Sequence, residues 1–249
     1  MIRAKREAVY RFGTQRRAYG APGVTDGAFP AILALNMITA RPFLAIYLLG
    51  LSIGSAILAR HARRKDRAAV MEDLTTPLDR ALTGLSALGM FVAPVVFAYT
   101  PWLAWGDYDL GRWALLPGGL LFGLGLWLLW RAHVDLGRYW SAGLQIRQGQ
   151  RVMTGGVFRH IRHPLYAGYL LWGLAQPWLI HNWVAGLSML ATFLPVYLYR
   201  VGREERMMAR RWREYAAYAE ATDRLWPVKS IARLLAGERC KALRWLRRS

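Results

Sequence analysis

The sequence predicts an all-α fold, a polytopic membrane helical bundle of about five transmembrane helices with a C-terminal cytosolic amphipathic helix. Three observations support this fold class. Hydrophobic residues make up 55% of the 249 positions, which is high for a soluble domain of this length. These residues are grouped in long blocks that contain no Asp, Glu, Lys or Arg. Nearly all of the formal net charge of +19 lies outside the blocks.

The block lengths indicate how many times the chain crosses the membrane. One span takes about 20 mostly apolar residues, within a range of roughly 17–25. The blocks Pro42–Ala59, Ala81–Gly106 and Trp113–Trp130 each have the length of one span. The fourth block, Pro164–Tyr199, is too long for one span and suits a tight hairpin of two helices that turns at His181-Asn182. Buried core helices are the alternative, but they are usually shorter and striped with polar residues.

Local patterns refine these helices. Thr75-Thr76-Pro77 predicts a helix start, because threonine caps helix N-termini and proline suits the first helical position. Gly119 and Gly123 are four residues apart in the third block, so we expect their shared face to let another helix approach closely. After the hairpin, Arg200–Tyr218 has the pattern of a charged helix.

Charge placement predicts the topology. Five spans put the basic loops at 60–80 and 131–163 and the basic C-terminal tail on one side, which the positive-inside rule makes cytoplasmic. The N-terminal tail is also basic, yet five spans place it outside. Either residues 29–59 cross twice or dip back into the membrane, or the tail is an exception. The apolar stretch 29–40 is too short to span, so it is either interfacial or an extension of the first span.

The positive charge also bears on partners. A basic chain can bind nucleic acid, but no motif that combines basic and aromatic residues for that purpose is found. We therefore predict no nucleic-acid partner, and we expect the basic segments to lie on anionic membrane lipids. The lone cysteine, Cys240, excludes an internal disulfide.

The candidate site begins in the turn-rich stretch GGVFRHIRHPLYAGY, which opens the hairpin. A hairpin brings its two ends together, so Arg162, His163 and Tyr166 should meet Arg200 and Glu204. The last two residues are four positions apart and share a helix face. An ordinary surface ion pair is the alternative, but charged residues at membrane depth are usually functional.

Several kinds of chemistry are excluded by the residue types in this stretch. The sequence shows no Ser-His-Asp or Cys-His arrangement, no phosphate-binding loop and no dinucleotide-binding glycine fingerprint. His160 and His163 are three residues apart, but no further metal ligands cluster with them, so we predict no metal site. Backbone groups with one His, one Tyr, one Glu and one Arg suit a polar cofactor and an anionic or polar nucleophile.

These residues resemble the signature of the isoprenylcysteine carboxyl methyltransferase family, whose wider relatives include phospholipid N-methyltransferases. The resemblance covers roughly residues 130–227. The matching residues are Gly156, Phe158, Arg162, His163, Pro164, Tyr166, Gly168, Arg200, Glu204, Glu205, Tyr215, Tyr218 and Pro227, with Leu136-Gly137 and Trp140-Ser141 upstream. The Arg-His-Pro-x-Tyr element alone is moderately specific, and the Glu-Glu element at this separation makes the resemblance strong.

The resemblance implies an integral membrane methyltransferase that uses S-adenosyl-L-methionine and acts on a lipophilic acceptor, with an isoprenylcysteine-type carboxylate as one candidate. It implies that Arg200 and Glu204 are catalytic, with Arg200 orienting the carboxylate of the acceptor. It also implies a cofactor pocket that faces the cytoplasm. The residues of this pocket are Gln150, Arg151, Val152, Met153, Phe158, His163, Pro164, Leu165, Tyr166 and Glu204.

The chemistry agrees with these residues, because a carboxylate is already a nucleophile. Methyl transfer to it needs alignment and a dry site rather than a base. Three positions depart from the family pattern, which usually has His at Gln150, often Tyr at Phe158, and Phe-Gly at Trp212-Arg213. Because these departures bear on the acceptor, a lipid amine or a quinol-like ring is also considered.

The chain therefore divides into four parts. Residues 1–41 form a basic tail with an interfacial segment, 42–130 carry three transmembrane helices, 131–227 form the catalytic region with the hairpin, and 228–249 form a basic amphipathic tail. Two other functions fit part of the pattern, a nicotinamide-dependent membrane reductase of the sterol-reductase type and a non-catalytic membrane scaffold. The Arg-x-x-x-Glu-Glu and Leu-Gly-x-x-Trp-Ser elements favour the methyltransferase over the reductase, and the converging polar residues argue against the scaffold.

Overall fold

The computed structural model of the protein describes residues 42–63 and 68–235. The α-helices of these ranges are α1 (Pro42–Ala62), α2 (Pro77–Ala87), α3 (Ala93–Tyr99), α4 (Leu115–Leu136), α5 (Pro164–Ile180), α6 (Trp183–Arg211), α7 (Tyr215–Ala221) and α8 (Val228–Leu235). A π-helical turn, Leu88–Val92, joins α2 to α3. Short 3₁₀ turns occur at Ala104–Gly106, Arg112–Ala114, Gly137–Tyr139 and Gly156–Arg159. Strands β1 (Val70–Asp73) and β2 (Gln145–Arg147) form a small antiparallel sheet.

The described residues contain four helices with the length and composition of membrane spans, Phe43–Ala62, Pro77–Tyr99, Arg112–Tyr139 and Trp183–Arg211. The predicted all-α membrane bundle is confirmed as a fold class. The remaining predicted span, the first helix of the hairpin, corresponds to α5, whose 17 residues reach the lower end of the usual range of roughly 17–25. The third predicted span is longer than expected. It was predicted to end at Trp130, whereas α4 continues to Leu136.

The helical hairpin turns where the sequence predicted. Only His181 and Asn182 separate α5 from α6. His181 adopts the left-handed backbone conformation, with φ of 51°, which reverses the chain. The Asn182 side chain accepts hydrogen bonds from the N–H groups of Val184 and Ala185 at 3.1 and 2.9 Å. This cap satisfies amides that the first turn of α6 leaves open, so both polar ends of the hairpin return to the same end of the bundle.

The helix start predicted at Thr76 and Pro77 is also confirmed. The Thr76 hydroxyl accepts a hydrogen bond from the Asp79 N–H at 3.2 Å, and the Asp79 carboxylate accepts one from the Thr76 N–H at 2.8 Å. This reciprocal arrangement is a capping box, which satisfies two backbone amides at once. Asp79 is fully buried where α2 packs against α6.

The π-helical turn widens the second span and bonds to three neighbouring helices. The Gly89 carbonyl accepts hydrogen bonds from the Ser188 hydroxyl at 2.8 Å and the Gln176 amide at 3.3 Å. The Met90 carbonyl accepts one from the Tyr47 hydroxyl at 3.2 Å. Because backbone carbonyls at membrane depth need protein partners, these contacts stabilise a turn that α-helical bonding alone would not.

Among the residues that the structure describes, the expectation that Gly119 and Gly123 form a helix contact face is wrong. A Cβ atom at either position would meet no described atom within 4 Å. The contact face of α4 lies at Gly118 and Gly125, where a Cβ atom would lie 2.8 Å from Trp178 Cβ and 3.0 Å from the Gly168 carbonyl oxygen, respectively. These two glycines allow the close packing of α4 on α5.

The small sheet was not foreseen from the sequence. It joins the loop between the first two spans to the segment that follows α4. Asp73 pairs with Gln145, Glu72 with Ile146 and Val70 with Arg147. The Leu74 N–H continues the ladder by donating to the Leu144 carbonyl at 2.8 Å. The sheet thereby holds the loop 140–144 against the start of α2.

The charged helix predicted for Arg200–Tyr218 is interrupted. Trp212 has extended backbone geometry and ends α6, and α7 begins three residues later. The predicted amphipathic tail helix is present as α8, which exposes Val228, Ile231 and Leu235. Other parts of the predictions lie outside the described residues, namely the tail and interfacial segment 1–41, residues 64–67 of the basic loop, and 236–249 with Cys240.

Candidate active site

One cavity of about 400 Å³ is lined by every residue that the sequence analysis assigned to the site. The two catalytic candidates, Arg200 and Glu204, both line it. The cofactor-pocket candidates that also line it are Gln150, Arg151, Val152, Met153, Phe158, His163, Pro164, Leu165 and Tyr166. A volume of several hundred cubic ångströms is typical of small-molecule sites.

The cavity has two chemically different ends. The polar end is formed by residues 150–153, Phe158 and His163, with Tyr215 and Tyr218 of α7. The apolar end lies between the second span and α6. Its residues are Ala87, Met90, Phe91, Met189, Phe193 and Val196. Glu204 and Met189 lie about 22 Å apart along α6, so the cavity reaches from the polar surface of the bundle deep into its apolar interior.

Glu204 lies between the two helices of the hairpin. Its Oε1 atom accepts a hydrogen bond from the Tyr166 hydroxyl at 2.7 Å and lies 3.7 Å from the Arg200 guanidinium. Its Oε2 atom lies 3.5 Å from Nδ1 of His163. The structure therefore brings His163, Tyr166 and Arg200 around the Glu204 carboxylate, as the hairpin geometry predicted. Arg162, which was predicted to join them, lines the same cavity but contacts Glu205 instead.

The neighbouring Glu205 binds the C-terminal segment instead of lining the cavity. Its Oε1 atom accepts from Nε of Arg162 and faces Nε2 of His163, both at 3.2 Å. Its Oε2 atom accepts from the Arg224 guanidinium at 2.6 Å. The two adjacent glutamates therefore make different contacts. Glu204 faces the cavity, whereas Glu205 joins α6 to the segments before α5 and after α7.

The segment before α5 is paired along its backbone with the segment after α7. The N–H groups of Arg162 and His163 donate to the carbonyls of Asp223 and Arg224 at 2.8 and 3.0 Å. The Arg162 guanidinium also donates to the Thr222 carbonyl. The position of His163 in the cavity wall therefore depends on residues near the end of the described chain.

The turn at Gly156–Arg159 requires a glycine. Gly156 has φ of 56°, and a Cβ atom there would lie 2.0 Å from the Asp135 carboxylate. That carboxylate accepts a hydrogen bond from the Val157 N–H at 2.9 Å. From the other side, the Tyr218 hydroxyl donates to the Phe158 carbonyl at 2.7 Å. The turn is thus held by α4 and α7, which together fix Phe158 in the cavity wall.

His163 faces both glutamates, one from each ring nitrogen. An imidazole can donate from both nitrogens only when it is protonated. Burial of the ring lowers the pKa of His163, but hydrogen bonds and charge interactions with Glu204 and Glu205 outweigh burial and raise the pKa above its ordinary value of 6.5. When the ring is protonated, it therefore joins the two carboxylates.

Arg200 has a carboxylate neighbour that the sequence analysis missed. Its Nε atom lies 3.7 Å from Oδ1 of Asp79, and one terminal nitrogen donates to the Ala142 carbonyl at 3.1 Å. Arg203, one turn further along α6, donates to Oδ2 of Asp79 at 2.6 Å. In the sequence Asp79 looks like a helix-capping residue, three positions after Thr76. Nothing in the local pattern signals its contact with a helix more than a hundred residues away.

A second cavity of about 410 Å³ also reaches Arg200. Most of its lining residues are of polar or charged types; the lining consists of Asp73, Thr75, Asp79, Arg80, Thr83, Ala142, Gly143, Gln145 and Arg200. Thr83, Ala142, Gly143, Gln145 and Arg200 line both cavities. Arg200 therefore stands where the polar end, the apolar end and the second cavity meet.

The sequence is similar to known proteins in two comparisons. The profile of the isoprenylcysteine carboxyl methyltransferase family matches residues 119–210, which include the hairpin, Arg200 and Glu204. The chain is also similar to Protein-S-isoprenylcysteine O-methyltransferase B of Arabidopsis thaliana, with 24% identity over 181 residues that cover 72% of this chain and 87% of the relative. Both matches agree with the resemblance of the sequence signature to the isoprenylcysteine carboxyl methyltransferase family.

Proposed function

We propose that the protein transfers a methyl group from S-adenosylmethionine to the carboxylate of a lipophilic acceptor of the isoprenylcysteine type. The observation that carries this proposal is a single cavity whose polar end and apolar end meet at Arg200 and Glu204. A charged donor matches one end and a lipid tail matches the other. Their reacting groups would then meet between the two residues.

The chemistry of the polar end suits the donor. Glu204 offers a carboxylate to positively charged groups, and Phe158, Tyr215 and Tyr218 offer aromatic faces to an adenine ring. The backbone of residues 150–153 adds amide and carbonyl groups. When bound, S-adenosylmethionine supplies a methyl group on a positively charged sulfur, and a carboxylate can take that group without losing a proton.

Arg200 favours an anionic acceptor. The residue is buried and lines the cavity, and its terminal nitrogens lie near the Ala142 carbonyl and the Glu204 carboxylate. Guanidinium groups bind carboxylates with two parallel hydrogen bonds, which fixes orientation as well as position. The task of Arg200 is therefore to hold the acceptor carboxylate in line, while the surrounding helices exclude water.

The apolar end favours an acceptor with a long tail. Ala87, Met90 and Phe91 of the second span face Met189 and Phe193 of α6 across it. Methionine and aromatic side chains adapt to flexible apolar ligands. The apolar end of the cavity lies between membrane helices, so the tail of the acceptor can enter sideways from the lipid rather than through water.

The distribution of charge supports a cytoplasmic site next to anionic lipids. Glu220, beside the site-forming segment on α7, should then face the cytoplasm, and Asp109, in the loop between α3 and α4, should face outward. We expect an impermeant maleimide to label Asp109→Cys in intact cells, with Cys240→Ser as background. Glu220→Cys should react only after permeabilisation. The reverse pattern would invert the topology.

The decisive experiment is methyl transfer by the detergent-purified protein from radiolabelled S-adenosylmethionine to N-acetylated S-farnesylcysteine. We expect a base-labile methyl ester. The carboxamide analogue of the same compound is the matched control and should give no product. Phosphatidylethanolamine serves as a second acceptor, because methylation of its amine would favour a lipid amine N-methyltransferase instead.

Calorimetric titration tests the donor separately. We expect S-adenosylhomocysteine to bind in the micromolar range and NADPH not to bind. Binding of NADPH alone would favour a membrane reductase. Binding of neither compound, together with no methyl transfer, would favour a non-catalytic membrane protein.

A further inference from the structure

We propose that Asp79 is a positioning residue for the acceptor: its carboxylate sets the orientation of the Arg200 guanidinium, and Arg200 in turn holds the acceptor carboxylate. This inference rests on the proposed function, which assigns Arg200 to the acceptor. It adds a charged residue of the second span to a site whose other charged groups lie on the hairpin and the segments around it.

Three hydrogen bonds fix one oxygen of the Asp79 carboxylate. The Oδ2 atom accepts from the Arg203 guanidinium at 2.6 Å, the Thr76 hydroxyl at 2.7 Å and the Thr76 N–H at 2.8 Å. The side chain is fully buried, and a buried charge is costly unless it is well paired. Helix capping and Arg203 therefore account for Oδ2 but not for the other oxygen.

The second oxygen faces Arg200. The Oδ1 atom of Asp79 and the Nε atom of Arg200 lie 3.7 Å apart. Within the described part of the chain, neither atom has a hydrogen-bond partner, although both are buried. A closing movement of about 0.7 Å would bring them to ordinary hydrogen-bond distance. The Nε–H of Arg200 is thus directed by Asp79, which leaves terminal nitrogens for an incoming carboxylate.

The surroundings explain why this contact controls the guanidinium. Arg200 and Arg203 lie one helical turn apart, so Asp79 offsets two neighbouring positive charges. The Ala142 carbonyl and the Glu204 carboxylate contact the terminal nitrogens only. Without the Asp79 charge, the two arginines repel, and Arg200 can turn toward the second cavity, which it also lines.

A double-mutant cycle tests the proposal in the full-length protein. Asp79→Asn keeps the shape of the side chain and removes its charge. We expect it to raise the KM for N-acetylated S-farnesylcysteine roughly tenfold and to leave the KM for S-adenosylmethionine unchanged. In an Arg200→Lys background the same substitution should have little further effect, because lysine has no guanidinium plane to orient. If Asp79→Asn raises the KM for the acceptor equally with and without Arg200→Lys, the proposal is overturned.

A matched control separates positioning from helix capping. Thr76→Ala breaks the same capping box by removing the hydroxyl, while the backbone N–H of residue 76 and the Arg203 guanidinium still hold the Asp79 carboxylate. It should lower the thermal unfolding midpoint without changing the KM for the acceptor. If Asp79→Asn also lowers the unfolding midpoint without changing the KM for the acceptor, Asp79 is only a helix-capping residue and the proposal fails.

A second measurement needs no acceptor. In protein containing nitrogen-labelled arginine, the Nε–H resonance of Arg200 is assigned by its loss in Arg200→Lys. We expect Asp79→Asn to shift this resonance and to speed its exchange with water, and Thr76→Ala to leave it in place. An unchanged resonance would overturn the proposal. A changed resonance in a protein that does not methylate the farnesylcysteine would support the contact and reject the proposed function.

Discussion

The hydroxyl of Tyr166 donates a hydrogen bond of 2.7 Å to the carboxylate of Glu204, and this bond joins the two helices of the hairpin at the cavity. Glu205 is adjacent in sequence and shares His163 with Glu204, yet its other contacts are with Arg162 and Arg224. The two glutamates therefore have separable functions, and substitutions at each should affect different measured quantities.

Glu204→Gln should weaken the binding of S-adenosylhomocysteine by roughly 10- to 100-fold. The substitution removes the negative charge that faces the cavity while keeping the size of the side chain. Calorimetric titration of the detergent-purified protein measures the effect. Glu220→Gln, at an exposed position of α7, is the control and should bind like the unmodified protein. If S-adenosylhomocysteine binds Glu204→Gln and Glu220→Gln with equal affinity, Glu204 does not contribute to the donor site.

The glycines at 155 and 156 should respond very differently to alanine. Gly155 has φ of −98° and open space around its Cα, whereas Gly156 has φ of 56° and lies against Asp135. Gly156→Ala should lower the thermal unfolding midpoint by about 2–4 °C or more and weaken donor binding. Gly155→Ala should change neither quantity. If both variants behave alike, the Gly156 turn does not fix the cavity wall.

The charge on His163 should make stability depend on pH. Glu204 and Glu205 raise the folded-state pKa of His163 above 6.5. The stabilisation is therefore complete below the ordinary pKa and is lost as the pH rises through the raised value. Unfolding midpoints of the unmodified protein and His163→Gln should differ most below the ordinary pKa of about 6.5 and converge as the pH rises through the raised pKa of His163. A difference that stays constant over this range would show that the imidazolium charge contributes nothing.

The preference of the protein for acceptors with long tails should depend on the apolar end of the cavity. Ala87→Phe adds a ring to its wall, so it should reduce methylation of a farnesylated acceptor more than that of a short-chain analogue. Binding of S-adenosylhomocysteine should stay unchanged. Leu124→Phe enlarges an exposed apolar side chain of α4 outside the cavity and serves as the control. Equal loss for long and short tails in Ala87→Phe would place the tail elsewhere.

Features set by short-range patterns could be predicted from the sequence. The turn at His181 and Asn182 follows from the length of one apolar block, and the helix start at Thr76 follows from a capping pattern. The meeting of Tyr166 with Glu204 follows from hairpin geometry alone. In each case a local rule determines the structure before any long-range packing is known.

Features set by the orientation of whole helices could not be predicted in this way. The spacing of Gly119 and Gly123 satisfies a packing rule, but the face of α4 that meets α5 carries Gly118 and Gly125 instead. The contact of Asp79 with Arg200 depends on how the second span packs against α6. That relationship joins distant parts of the chain and leaves no local trace in composition or spacing.

The pairing of residues 161–163 with 222–224 has a consequence for the biogenesis of the protein. A ribosome delivers the chain from its N-terminus, so every span of the bundle leaves the tunnel before Asp223 does. Until then, the backbone of Arg162 and His163 lacks the carbonyls that hold it. The wall of the cavity is therefore completed only after residues 222–224 have left the ribosome, and a nascent chain stalled before Thr222 carries the described membrane helices without this pairing.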